Sequence, residues 1–113
     1  KNLATELLTE ESFISKKDAA IRGESGVDYS FDIVIEDPVQ PENIFAIEFA
    51  LGDEMFSQVF ELSAKKMDIK AKVVIASIQP FPQEIISLGK LYRITLIQAD
   101  TAFGLVEKLL ETI

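Results

Sequence analysis

The stretch that most constrains this chain is Asn43–Asp53, NIFAIEFALGD, an apolar run interrupted by one acid, Glu48, and closed by Gly-Asp. Alternation along an extended backbone puts Phe45, Ile47, Phe49 and Leu51 on one face and Ile44, Ala46, Glu48 and Ala50 on the other. Glu48 therefore looks out among small and aliphatic side chains. A carboxylate buried without compensation costs several kcal/mol, so Glu48 must meet water, a cation or a hydrogen-bond donor, or carry a proton.

The remaining composition narrows what such an acid can serve. A chain of 113 residues that is 48% hydrophobic is long enough for one domain with its own core. It has no cysteine and no histidine, which removes disulfides, thiolate or imidazole metal sites and histidine-based triads, and leaves oxygen as the metal ligand. Its longest apolar runs fall short of the roughly 20 residues that span a bilayer, so a soluble cytoplasmic protein without a membrane partner is expected. The first residues, from Lys1, already read as helix, without an initiator Met or a signal pattern, which suggests a piece of a longer polypeptide. Eleven basic against 19 acidic residues give a net charge of −8, which opposes tight DNA binding by the isolated domain. Lys65, Lys66 and Lys70 lie near a predicted helix C-terminus, where cations complement the helix dipole.

In chain order, residues 2–12 read as a helix bearing Glu6, Glu10 and Glu11 on its surface, Phe13 to Ile21 as a candidate edge strand, and RGESG as a turn. DYSFDIVIED then alternates, with Phe31, Ile33 and Ile35 on one face and Ser30, Asp32, Val34 and Glu36 on the other. The two-proline loop DPVQPE is short enough to join this strand antiparallel to the Glu48 strand. Asp53 is a candidate N-cap for a helix to about Asp68, with Phe56, Val59, Leu62 or Ser63, and Lys66 or Met67 on its inward stripe. KVVIASI at 72–78 and ITLIQ at 94–98 read as strands buried on both faces, separated by a helix opened by Pro80 and Pro82. Asp100 is placed to cap a last helix that turns Ala102, Phe103, Val106, Leu109 or Leu110, and Ile113 inward. The order α-β-β-β-α-β-α-β-α predicts an α/β domain, a mixed central sheet flanked by helices. No glycine-rich loop follows a strand, so a dinucleotide-binding fold is excluded.

Asp32 and Glu48 lie on adjacent predicted strands, each at an alternate-face position. A suitable register brings both carboxylates to one side of the sheet, where such a pair can hold Mg²⁺ among waters and support hydrolysis of a phosphate ester. Pairing of Glu48 with Arg22 or Lys90, or simple solvation, are the plainer alternatives.

The layout resembles the PD-(D/E)XK nuclease superfamily, the restriction-endonuclease-like fold, and within it Mrr-type restriction enzymes and archaeal Holliday-junction resolvases. The resemblance runs over nearly the whole chain: Glu6 in the first helix, IRGESG followed by FDIVI with Asp32, IEFA with Glu48, the next helix with Gln58, then VVIAS and Pro80 to Leu88. It implies Mg²⁺ as cofactor, DNA as partner, Asp32 and Glu48 as metal-binding acids, Glu6 as an auxiliary acid and Gln58 as a polar site residue on the following helix. The family pattern has a lysine two residues after the second acid, and this chain has Ala50. Lys65 and Lys66 stand roughly 15 Å or more along their helix, too far from the start at which the site is expected. The expected function is thus a nuclease-like domain with impaired or absent cleavage, serving nucleic-acid recognition or regulation. The rival is a non-catalytic interaction module that dimerises or docks to the rest of its chain.

Overall fold

The computed structural model describes residues 14–112, apart from 38, 41, 42 and 51. The helix expected over residues 2–12, with Glu6, and Leu51 and Ile113 lie outside the described residues. Strand β1 (Ile14–Arg22) forms a hairpin with β2 (Asp28–Glu36), and β3 (Ile44–Phe49) follows antiparallel to β2. Helix α1 (Met55–Asp68) crosses to β4 (Lys72–Ser77), α2 (Gln83–Tyr92) crosses to β5 (Thr95–Gln98), and α3 (Ala102–Thr112) completes the chain. The five strands lie in the order β1-β2-β3-β4-β5, antiparallel up to β3 and parallel from β3 to β5. This is the predicted mixed α/β sheet.

The unbroken apolar pattern of β4 follows from cover on both faces. Val73 and Ile75 pack with Met55, Val59 and Leu62 of α1 and Ile85 of α2, while Val74 and Ala76 pack with Leu105, Val106 and Leu109 of α3. In β3, Phe45 and Ile47 go to the α3 side and Ala46 to the α1 side, as alternation requires.

Three local expectations are corrected. A 3₁₀ turn, Gly52–Glu54, precedes α1, and no side chain caps that helix, so Asp53 is not its N-cap. The buried stripe of α1 is Met55, Val59 and Leu62; Phe56 and Met67 are exposed, as is Phe103 on α3. Helix α3 is capped by Thr101, whose Oγ1 accepts the Gly104 N–H at 3.0 Å, because that hydroxyl stands three residues before an otherwise unpaired donor.

The fourth correction bears on the site. Phe31 joins Val34 in the cluster under α1, whereas Ile33 and Ile35 join the cluster under α3, so alternation in β2 breaks at Asp32. Opposite it on β1, pairing passes from Lys17↔Ile33 to Ala19↔Phe31, and Asp18 between them has φ 50°. With that left-handed residue interrupting the edge, the outer half of the hairpin turns its Phe31 onto α1. Its tip is held there: Asp68 at the end of α1 accepts the Ser25 N–H at 2.9 Å, the Ser25 hydroxyl and the Tyr29 hydroxyl at 2.8 Å, and the Glu24 N–H bonds the Asp68 carbonyl at 2.8 Å.

Candidate functional site

The β2–β3 register pairs Ile33 with Ile47 and ends there; carried one step further it sets Asp32 opposite Glu48. At that step side chains replace the ladder. Asp32 Oδ2 accepts the Phe49 N–H at 2.8 Å, and the Asp32 backbone N–H bonds the Glu48 carboxylate. The Asp32 charge is felt at Glu48, so the two acids stand close to one another at the end of the ladder. Both are half-buried.

Burial first, then the Asp32 charge, push the Glu48 carboxyl up to about 7, while the Lys65 charge and the Asp32 N–H pull in the opposite direction. A cation held between the two carboxylates would compete with a proton on Glu48.

Gln58 faces back to this point as expected: its Nε2 donates to the Phe49 carbonyl at 2.9 Å. The Phe49 backbone is therefore clamped on both sides, its N–H by Asp32 and its C=O by Gln58. Ala50 continues on Glu48's face, half-buried against the α1-side cluster, and brings no charge. Arg22, weighed above as a partner for Glu48, bonds Asp28 at 3.1 Å, and Lys90 lines a surface groove of about 450 Å³ between α2 and β5.

Lys65 departs from expectation. Distance along the helix placed it away from the site, yet its Nζ lies 3.4 Å from the Ser30 carbonyl and 5.2 Å from the centre of the Phe31 ring, beside Asp32, and its charge is felt at Glu48. The hairpin turned onto α1 brings the site's neighbourhood to the third turn of the helix. Spacings of four and three residues put Gln58, Leu62 and Lys65 on one side of the helix, but only the fold of the hairpin shows what that side meets. Lys66 instead donates to the Arg93 carbonyl.

Asp32 and Glu48 offer two carboxylates, a set that suits a hard cation keeping several waters. Among the described residues no group of three or more Asp, Glu, His or Cys gathers as a fuller ligand set, and no helix is long and apolar enough to cross a membrane.

No protein-family model matches the chain, and no curated protein does. Two solved structures resemble it in fold. AF1548, a protein of unknown function, matches over 85% of this chain at 19% identity with a TM-score of 0.59. VC1899 from Vibrio cholerae matches over 97% at 15% identity with a TM-score of 0.66. The chain spans 54% and 31% of those two proteins, and at these identities the likeness is one of fold alone.

Proposed function

We propose that this is a nuclease-like domain that binds Mg²⁺ through Asp32 and Glu48 and engages the phosphodiester backbone of DNA there, with impaired cleavage. The observation that carries the reading is the placement of Asp32 and Glu48 across from each other at the end of the β2–β3 ladder, where burial and the Asp32 charge raise Glu48 to about 7. Neutral solution then leaves Glu48 poised between its two protonation states.

A bound Mg²⁺ would supply a more acidic water and positive charge against the phosphate. The chain's own groups do the rest. Asp32 and Glu48 would hold the cation, and Gln58 fixes the strand end through Phe49. The Lys65 charge reaches Glu48, but its ammonium rests on the Ser30 carbonyl and the Phe31 ring. With alanine at position 50, no strand-borne cation meets a phosphate beside Glu48. Loss of one preorganised charged group costs about 10²–10³ in rate, so cleavage is feeble while binding persists.

The test is a titration of the domain with Mn²⁺, as a spectroscopic stand-in for Mg²⁺, followed by water-proton relaxation. One site per chain, lost in both Asp32→Asn and Glu48→Gln, is expected. Binding unaffected by either substitution would overturn the reading.

A further inference from the structure

Helix α1 turns an apolar stripe to solvent, opposite its buried face: Phe56 is 43% exposed, Phe60 51% and Met67 89%, with Ala64, also exposed, between them. Aromatic and methionine side chains aligned this way are the composition of an interface core rather than of an ordinary surface. The charges flanking the stripe differ at its two ends. Asp53 and Glu54 stand exposed before the helix, and Lys70 stands 88% exposed after it, in a 3.6 Å surface contact with Glu24.

We propose that this stripe is a contact surface for a second copy of the same chain, with the two α1 helices antiparallel. Three features favour a copy over another partner. A two-fold placed near Leu62 sets Phe60 of each chain against the small Ala64 of the other, a large side chain over a gap. The same symmetry sets Glu54 against Lys70 reciprocally, so one surface supplies both members of the charged pair. Antiparallel helices also place opposite dipole ends together, whereas a parallel pair would bring acid to acid. A single 14-residue helix limits the contact, so the dimer belongs to the weak end of protein interfaces, with micromolar dissociation. The proposal stands independently of the cation site, since the stripe lies away from the face that carries Gln58 and Lys65.

Sedimentation of the domain from about 5 µM to about 1 mM tests it. The mass should rise with concentration from 12.6 kDa towards twice that value. Phe60→Glu should leave the monomer at every concentration, with unchanged circular dichroism. Glu54→Lys should weaken association about tenfold, and adding Lys70→Glu in the same chain should restore it. A native domain that stays monomeric throughout overturns the proposal, as does a dimer indifferent to Phe60→Glu. A dimer that responds to Phe60→Glu but to neither charge reversal would rule out the antiparallel arrangement.

Discussion

Asp32 accepts the backbone N–H of Phe49 at 2.8 Å, so the acid of β2 is tied to the strand that carries Glu48. One carboxylate therefore has two roles, as an acceptor in the fold and as a ligand at the site, and substitutions separate them. Asp32→Asn keeps an acceptor and should retain near-native stability while losing cation binding. Asp32→Ala leaves the part-buried Phe49 donor unmet and should cost about 1–3 kcal/mol as well. Denaturant midpoints beside Mn²⁺ titrations check both; equal stability of the two variants would dissolve the structural role.

The pH dependence follows from Glu48, whose folded value of about 7 lies above its ordinary 4.5. The folded state holds this proton more tightly than the unfolded chain. Its stabilising effect is fully present below 4.5 and fades as pH rises through 7. Glu48→Gln should match the native domain near pH 4.5 and exceed it at pH 8 by about 1–2 kcal/mol, a figure reduced for the half-exposed position. Cation binding should run the other way, weakening about tenfold per pH unit below 7 as the proton competes. Calorimetry in buffers of different ionisation enthalpy reads the proton released.

The hairpin latch makes a steric prediction. A Cβ on Gly23 would collide with Asp68 Oδ2 and lie 2.8 Å from the Tyr29 ring, so Gly23→Ala must dislodge the bonds that hold the tip to α1. A loss of about 1–3 kcal/mol is expected. Because Asp68→Ala removes one of the colliding groups, the double variant should fall short of the sum of the single ones. Strict additivity in urea unfolding would show that the two residues do not share this contact.

Cleavage tests the missing cation. The native domain should bind duplex DNA no tighter than about 10⁻⁴–10⁻⁶ M at physiological salt, since its charge of −8 opposes the phosphates. Its Mg²⁺-dependent cleavage should be slow, and Ala50→Lys should raise it about 10²-fold by placing an ammonium on Glu48's face. Lys65→Ala should remove what remains in the native domain. Fast native cleavage lost in Lys65→Ala would show that Lys65 already serves in full.

The strands and helices from β2 onward were legible because their residues repeat every two or between three and four positions, and both periods survive whatever packs against them. The acids could be named for the same reason, since an acid in an apolar strand stands out without reference to any neighbour. Helix surfaces were harder. Phe56 and Met67 are apolar yet exposed, and a hydrophobic side chain carries no mark of whether the face it occupies is covered.

The sequence by itself determined the α/β order, the oxygen-only ligand chemistry and the placement of Asp32 and Glu48 on neighbouring strands. Tertiary structure alone decided that Lys65 stands beside them. That depends on the left-handed Asp18, the break in alternation at Asp32 and the grip of Asp68 on the hairpin tip, which together bring Phe31 and Ser30 to α1. Contacts between residues 30 and 65 form through a turn of the sheet rather than through spacing along the chain, and local periodicity holds no record of such a turn.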